Sequence, residues 1–203
     1  MNTLCFPALR RLAALAVLGL LLTVGVTRSY AQITVYARFA NGTGVWVGES
    51  TDAGRTGWVN LRSVTFGSAI NVSFSGGGAT VSPPTFDNVV LTKAVDRLTP
   101  QIFAALTPGV PINGGPGVAD VTIEFVINGA AGPVTFFRVE LRRVYFTEQK
   151  NAGSGGDDLV LETVTLKNVA FRYTHWVIQP NGSQGASTTS SWSTATNQPT
   201  FTP

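Results

Sequence analysis

The stretch DVTIEFVINGAAGPVTFFRVELR, residues 120–142, decides the fold class, because apolar and polar side chains alternate in it on both sides of a turn. Asn128-Gly129 to Gly132-Pro133 has the composition of a hairpin turn. A period of two on both sides of such a turn predicts two antiparallel strands with one apolar face. Before the turn, the predicted inward face consists of Val121, Ile123, Phe125 and Ile127, opposite Asp120, Thr122 and Glu124. After the turn, Phe137, Val139 and Leu141 face inward, and Arg138, Glu140 and Arg142 face outward.

Similar patterns extend over the rest of the chain. Residues 33–39, 58–66, 86–95 and 169–177 are rich in β-branched and aromatic side chains, and each segment predicts a strand. After Arg142-Arg143 the alternation changes phase, which predicts a β-bulge there. The composition as a whole, with 22 glycines, is typical of an all-β domain.

One segment predicts a short helix instead. Thr99 is a suitable N-cap, and Pro100 is a suitable first helical residue. Residues 101–106 are good helix formers, and Pro108 with Gly109 ends the segment. The predicted apolar face of this helix consists of Ile102, Phe103 and Leu106. A helix of about two turns is suited to plugging one end of a barrel.

Three stretches have the composition of loops. Residues 75–84 carry no charge and include three consecutive glycines and Pro83-Pro84. Residues 151–158 (NAGSGGDD) join two predicted strands. Residues 180–191 are rich in Gly, Ser and Thr, and taken alone they predict a flexible tail.

The first 31 residues have the features of a cleavable secretory signal peptide. Two arginines precede an uncharged apolar run, residues 12–26, and Ser29-Tyr30-Ala31 places small residues where a signal peptidase cuts. The alternative is a membrane anchor, but the run is shorter than the ~20 residues that span a bilayer. We therefore predict cleavage between Ala31 and Gln32 and export through the general secretory route, to the periplasm or the exterior. The mature domain, residues 32–203, is predicted to have no membrane span.

Removing this leader changes the charge of the protein. The whole chain has a formal net charge of +3, but the leader holds Arg10, Arg11 and Arg28 and no acidic residue. The mature chain therefore has 11 basic and 11 acidic residues, and its charge gives no reason to expect nucleic acid as a partner. A net charge near zero permits association between copies. The one cysteine, Cys5, also lies in the leader, so we expect no disulfide within the mature chain.

The residues suited to nucleophilic catalysis or metal binding do not form a convincing set. Ser154 lies in AGSGG, close to a nucleophile-elbow pattern, but a strand rather than a helix is predicted after it. His175, its candidate base, lies in the middle of a predicted strand. Asp157-Asp158 are adjacent, whereas a calcium loop spreads several oxygen ligands at regular spacing. We therefore expect no metal and no cofactor.

Asp120 and Glu124 are the remaining acid–base candidates, as a glycosidase pair. They lie on the outward face of one predicted strand, where carboxylates are ordinarily solvated or paired with arginines across the sheet. A sugar-stacking platform is another alternative, but wide separation of the four tryptophans in sequence favours packing in the barrel or at an interface. These tryptophans are Trp46, Trp58, Trp176 and Trp192. We expect no enzymatic activity.

Two motifs resemble those of the hemolysin-coregulated protein (Hcp) family, the tube subunit of type VI secretion. One is FDNVVLTKAVDRLTP, residues 86–100, with LTKxxDxxTP from Leu91 to Pro100 as its most specific part. The other is GSGGDDLVLETVTL, residues 153–166. The order of the elements also resembles the family over nearly all of the mature chain. The resemblance implies a two-sheet β-barrel capped by the short helix, and it turns residues 180–191 into a loop before a strand at 192–196.

The resemblance also implies self-assembly, in hexameric rings that stack into a hollow tube. The long uncharged stretch, roughly residues 74–85, matches the family's extended loop, which reaches the neighbouring ring. Three consecutive glycines are costly to order alone, and contact with a partner offsets that cost. The predicted ring-stacking residues are Phe74, Ser75, Gly76, Gly77, Gly78, Val81, Pro83 and Pro84.

The leader departs from the family, whose members in type VI secretion are implied to assemble in the cytoplasm. We therefore predict a structural protein whose partner is itself, forming rings and a tube or filament outside the cytoplasm. One alternative is a component or effector of a genuine type VI tube, with the leader misread. Another is a secreted binding module or adhesin that keeps the barrel and uses its tryptophans on glycans.

Overall fold

A computed structural model describes residues 32–42, 44–115, 118–129 and 132–203. The predicted leader lies outside the described residues, as does Ala31 of its cleavage site. No helix in the described part of the chain is long and apolar enough to cross a membrane.

The described residues form short and long strands interrupted by one helix. The strands are β1 (Ile33–Asn41), β2 (Gly44–Trp46), β3 (Val59–Thr65), β4 (Ser68–Ala69), β5 (Val72–Ser75), β6 (Gly78–Val81), β7 (Thr85–Phe86), β8 (Val89–Ala94), β9 (Val121–Gly129), β10 (Gly132–Arg142), β11 (Tyr145–Ala152), β12 (Leu161–Lys167), β13 (Ala170–Ile178) and β14 (Gln184–Ser193). Helix α1 (Thr99–Leu106) lies between β8 and β9.

Ten strands form one antiparallel sheet. Its order is β11-β12-β8-β3-β1-β9-β10-β13-β14, and β2 pairs with β1 beside this path. Two small two-stranded sheets, β4-β7 and β5-β6, carry the segment between β3 and β8. The all-β fold with one short helix is thereby confirmed.

The large sheet curls, so that its two halves enclose one apolar core. Phe39 of β1 contacts Phe146 of β11, with ring centroids 6.0 Å apart. Phe66, just after β3, contacts Phe125 of β9 and Tyr173 of β13. Strands that are remote in the sheet order therefore face each other across the core, as in the predicted two-sheet architecture. Ile102 of α1 is fully buried in the same core.

The helix differs from its sequence-based prediction in two ways. Leu98 occupies the N-cap position without a side-chain cap, and Thr99 is already helical. The Thr99 hydroxyl is instead used in a buried polar network that also contains residues of β8 and β12. Phe103, predicted on the apolar face, is 60% exposed, because the buried face is formed by Ile102, Ala105 and Leu106.

The prediction of a β-bulge at Arg142-Arg143 is also wrong. The chain leaves β10 at Arg142 and enters β11 at Tyr145, with Arg143 in the left-handed region at φ 51°. The change of phase is therefore a break between two strands. Irregular register occurs elsewhere, between Thr135 and Phe137 and between Phe146 and Glu148.

Two predicted loops are strands in the structure. Residues 75–81 form most of the β5–β6 hairpin, whereas residues 82–84 belong to no strand. Residues 184–191 belong to β14, which extends from Gln184 to Ser193. Of the strand predicted at 192–196, only Trp192 and Ser193 belong to β14, and residues 194–196 form a turn beyond it. None of the strands β5, β6 and β14 shows an apolar period of two, because almost all of their side chains are exposed.

Candidate self-assembly surfaces

The β5–β6 hairpin contains the residues predicted to stack rings. Ser75 pairs with Gly78 across the turn, and the two central residues, Gly76 and Gly77, have φ of 57° and 95°. Positive φ at both central positions defines a hairpin turn that glycine adopts without strain. Every residue of β5 and β6 is exposed, and Phe74 beside the turn is 82% exposed. Pro83 and Pro84 follow at the base, ahead of β7.

A groove of about 520 Å³ lies at the base of this hairpin. On one side it is bounded by the strand segments that lead into and out of the hairpin, and on the other by β13 and β14. Phe86 stacks on Phe171 at 4.6 Å and fixes the two sides together. The residues that line the groove include no charged side chain. Its apolar wall consists of Ile70, Val81, Phe86, Phe171, Tyr173 and Trp192.

Strand β14 is one edge of the large sheet. It pairs with β13 on one side, and within the described residues no strand pairs with its other side. The strand contains no charged residue and no proline. Natural edge strands are usually protected by such residues, so an unprotected edge indicates a site for another strand.

Strand β11 is the other edge of the large sheet, and it is charged. Glu148 and Lys150 form an ion pair of 2.7 Å on it. Lys150 lowers the pKa of the Glu148 carboxyl through this contact. The two edges of one subunit are therefore chemically different.

The LTKxxDxxTP motif forms a buried ionic network that attaches the helix to the barrel. Lys93 of β8 and Glu162 of β12 are cross-strand neighbours, with side chains 2% and 0% exposed, and they form an ion pair. Lys93 Nζ also lies 2.6 Å from Asp96 Oδ1. The Thr99 hydroxyl donates to Glu162 Oε2 at 2.8 Å, and Gln149 of β11 donates to the other carboxylate oxygen. Lys93, Asp96 and Thr99 of the motif thus have a structural role.

Asp120 and Glu124 are both buried, and Glu124 has one of the two expected arrangements, pairing with arginines across the sheet, whereas Asp120 has neither. Asp120 is 1% exposed, and its carboxylate accepts hydrogen bonds from the backbone N–H of Gly114 at 2.7 Å and Val144 at 3.2 Å. Glu124 is 4% exposed and pairs across the sheet with Arg138 at 2.6 Å and with Arg55 at 2.9 Å. Both carboxylates are fully engaged in structural contacts, so neither is placed as a glycosidase acid or base.

The other candidate chemical residues are dispersed. Ser154 lies in the loop between β11 and β12, where its N–H donates to Asp157 Oδ2 at 2.7 Å. His175 lies in the middle of β13, paired with Phe137 and Thr188. Asp157 therefore orders its own loop, and Ser154 and His175 belong to different elements, the β11–β12 loop and β13. Among the described residues, no three His, Cys, Asp or Glu side chains are gathered in the manner of a metal site.

The four tryptophans also occupy separate places. Trp46 stacks on Phe146 at 5.9 Å against the core, and Trp192 lines the groove at the hairpin base. Arg138 lies 5.1 Å over the ring of Trp176. Trp58 lines a polar pocket of about 510 Å³ that also contains Arg138. The sequence prediction of packing rather than one platform describes Trp46 well, whereas Trp58 and Trp176 both lie near Arg138.

Sequence reasoning missed the open edge of β14 and the groove. The sequence predicts a tail or loop at this edge, because a strand that is exposed on both faces has no apolar period of two. The groove is formed by residues from four separate segments, so no local pattern could have shown it.

Comparison with known proteins gives one family and a set of similar folds. The family described as type VI secretion system effector, Hcp, matches residues 27–179. A solved structure of a type six secretion system protein is 20% identical, with 82% of this chain and 99% of that chain covered and a TM-score of 0.69. Hcp1 from Salmonella typhimurium is 17% identical, with coverage of 82% and 97% and a TM-score of 0.61.

Hcp1 from E. coli EAEC 042, solved as a double mutant, is 18% identical over 78% of this chain and 97% of its own, with a TM-score of 0.61. At these identities the structural similarity concerns the fold. Among curated proteins, none matches the sequence significantly.

Proposed function

The chain belongs to the Hcp family of type VI secretion, and on that premise we propose that it is a structural protein that assembles with copies of itself. The proposed assembly is a ring, hexameric as the family resemblance implies, and rings stack into a hollow tube or filament. The protein acts without a catalytic centre or a cofactor. Its leader directs it through the general secretory route, so the assembly forms outside the cytoplasm.

The observation that carries this proposal is the open edge of β14. Residues 184–190 are uncharged and largely exposed, and their outward backbone N–H and C=O groups have no strand beside them within the described chain. A second copy can satisfy these groups by adding a strand, which is a common mode of association. The end of β14 is covered by the chain's own last residues, because Ser193 bridges to Gln198.

Each subunit has one β14 edge and one β11 edge, which permits a closed ring. If β14 of one copy pairs with β11 of the next, the contact is heterologous, and repeating it with a suitable rotation closes a ring. The Glu148–Lys150 pair on β11 then faces an uncharged strand, so no like charges meet there. Pairing of β11 with β11 or of β14 with β14 would be two-fold and would end at a dimer, whereas the head-to-tail pairing can continue until a ring closes.

The first test is negative-stain electron microscopy and light scattering of the protein that begins at Gln32, over a range of concentrations. We expect rings or tubes. Thr188→Lys places a charge on the open edge and is expected to abolish rings, whereas Thr196→Lys, on an exposed residue beyond β14, leaves them intact. Single subunits at every concentration, or rings that tolerate Thr188→Lys, would refute the proposed contact.

N-terminal sequencing of the native protein tests the proposed location. A start at Gln32 supports export and assembly outside the cytoplasm. A retained leader supports the alternative, a component or effector of a cytoplasmic type VI tube.

A second candidate function, glycan binding, is favoured by the pocket beside Trp58. Arg55 and Arg138 converge on Glu124 there, and Gln184 adds an amide group to the lining. Aromatic rings beside planar polar groups are suited to sugar rings. Sedimentation with soluble polysaccharide tests this function, and Trp58→Ala must reduce binding while an equivalent change at Trp46 does not. Co-sedimentation without rings would favour it over self-assembly.

A further inference from the structure

The pocket beside Trp58 contains more positive than negative charge. Among the described residues that line it, three have charged side chains: Arg55, Arg138 and Glu124. The pocket wall therefore carries two guanidinium groups and one carboxylate. Asp52, an acidic residue of the same loop as Arg55, does not line the pocket, and its carboxylate accepts a hydrogen bond from a tyrosine hydroxyl of β1 at 2.7 Å. One of the two positive charges thus has no counter-charge among the lining residues.

Glu124 holds each guanidinium group by one edge only. Arg138 donates from Nε and Nη2 to Glu124 Oε1, at 2.9 and 2.6 Å. Arg55 donates from Nε to Glu124 Oε2 at 3.0 Å, and its Nη2 donates to the Thr135 hydroxyl. In the part of the chain that the structure describes, the Nη1 group of neither arginine has an acceptor, and neither Nη1 atom is buried. Each arginine therefore keeps one accessible edge of N–H donors, and such an edge binds a carboxylate through two parallel hydrogen bonds.

Both guanidinium groups are held in place before any ligand binds. The Arg55 guanidinium lies 5.5 Å from the centre of the Tyr36 ring, and that of Arg138 lies 5.1 Å from the ring of Trp176. The side chains of Arg55 and Arg138 are 11% and 35% exposed, so both are confined by their neighbours. Donors that are already fixed lose little conformational entropy when a ligand binds, which increases its affinity.

The rest of the pocket wall is suited to a sugar ring. Trp58 is half-buried and contributes aromatic surface, and Ser183 and Gln184 contribute a hydroxyl and an amide. Gln184 Nε2 donates to the Thr135 carbonyl at 2.6 Å, which fixes the amide and leaves its Oε1 as an acceptor for a ligand hydroxyl. The volume of about 510 Å³ lies within the ~300–1,000 Å³ of typical ligand sites. Aromatic surface beside hydrogen-bonding groups matches the apolar faces and the hydroxyl groups of a sugar.

We propose that this pocket binds a uronic-acid residue of an acidic polysaccharide. A uronic acid carries a carboxylate at one end of a pyranose ring and hydroxyl groups around the ring. The carboxylate pairs with the accessible edges of Arg138 and Arg55, and the ring packs against Trp58. A simple anion contacts only the arginines, and a neutral sugar leaves the excess positive charge unpaired. This inference rests on the second candidate function, glycan binding at this pocket, and it names the class of glycan; it does not depend on self-assembly.

Isothermal titration calorimetry of the protein that begins at Gln32 tests the inference with matched ligands. The ligands are trisaccharides of galacturonate, glucuronate and mannuronate, each compared with its methyl ester, which has the same rings and no charge. We expect at least one acid to bind about tenfold or more tightly than its ester at low salt, because hydrogen bonds to a charged group are the stronger ones. The difference is expected to shrink as sodium chloride is added, since salt screens exposed charges.

The outcomes separate this inference from the candidate function on which it rests. Equal binding of acids and esters would overturn the inference and leave glycan binding intact. Acetate that binds as tightly as the best trisaccharide would overturn it as well, because the pocket would then be a site for a simple anion only. If no saccharide binds, the inference and the candidate function are both refuted, and the electron microscopy of rings is unaffected.

A matched pair of variants locates the charge that is responsible. Arg138→Gln is expected to lower the affinity for the acid by about tenfold or more and to change that for the ester much less. The control is Arg172→Gln, because Arg172 also pairs with a glutamate at 2.6 Å on the same sheet and is 34% exposed, but does not line the pocket. Equal losses from the two variants would contradict the assigned role of Arg138. The comparison of acid with ester needs no substitution, so it decides the question whether or not Arg138→Gln folds.

Discussion

The buried Lys93–Glu162 pair gives the sharpest test of how the LTKxxDxxTP motif acts. The change is Glu162→Gln, which keeps the size of the side chain and removes its charge. Lys93 then remains 2% exposed with Asp96 and Thr99 as its side-chain partners, and Thr99 and Gln149 lose an ionised acceptor. If the motif fixes α1 to the barrel, this single neutral substitution should lower the free energy of unfolding by a large amount.

The magnitude follows from the burial of the pair. Removal of one partner from a buried ion pair costs about 3–5 kcal/mol, because the other charge is left uncompensated. Asp96 still lies 2.6 Å from Lys93, so the lower end of this range, about 3 kcal/mol, is expected. The exposed Glu49–Arg97 pair is the matched control, with a separation of 3.6 Å and side chains 51% and 61% exposed. Glu49→Gln is expected to cost at most about 1 kcal/mol.

Urea unfolding of the protein from Gln32 measures both variants. The shift of the midpoint at constant m gives the change in the free energy of unfolding. The double variant Lys93→Met/Glu162→Leu adds a second measurement, and it is expected to be more stable than Glu162→Gln because neither charge of the Lys93–Glu162 pair is left buried. Asp96, 9% exposed, keeps the Leu98 N–H as a hydrogen-bond donor. A loss below about 1 kcal/mol for Glu162→Gln, equal to that of Glu49→Gln, would refute the assigned role.

The remaining predictions concern a carboxylate, the C-terminal residues and a tyrosine. Asp120→Asn removes the charge of a carboxylate that accepts hydrogen bonds from two backbone N–H groups, and it is expected to lower the free energy of unfolding by about 2–3 kcal/mol in urea. An unchanged free energy of unfolding would refute this role of Asp120. Phe201→Ala removes a ring 4.3 Å from the Arg172 guanidinium and is expected to cost about 1 kcal/mol, roughly 2–4 °C in Tm by calorimetry; an unchanged Tm would contradict the contact. Burial raises the pKa of Tyr173, so the unfolded chain ionises first, and stability is full below about pH 10 and falls above it. Tyr173→Phe is expected to reduce that fall in unfolding measured from pH 8 to 11, and an identical slope in both proteins would count against it.

The elements that were predictable from sequence are those with one buried and one exposed face. In β10, Val139 and Leu141 are fully buried, as their alternation with Arg138 and Glu140 predicted. The pairing of Glu124 with Arg138 across the sheet was among the expected outcomes for outward carboxylates. The helix was located correctly because Pro100 and Pro108 delimit it, although the cap was not.

The elements that could not be predicted lack such asymmetry. β5, β6 and most of β14 are exposed on both faces, so their composition is that of a loop. Asp120 is buried together with the backbone N–H of Val144, which donates to its carboxylate. The left-handed conformation of Arg143 brings Val144 into position, and no sequence pattern predicts that conformation. The groove forms where β4, β7, β13 and β14 lie close together. A local sequence pattern does not predict which distant segments become neighbours.

The pairing of strands that are far apart in the chain has a consequence for the rate at which the protein folds. β1 pairs with β9, about ninety residues later in the chain, and β8 pairs with β12 about seventy residues later. Sheets made of such distant partners fold slowly, in milliseconds to seconds, because long loops must close before any contact forms. The general secretory route transports chains before they fold. In a chain that carries the predicted leader, slow closure would leave more time for translocation before the sheet forms.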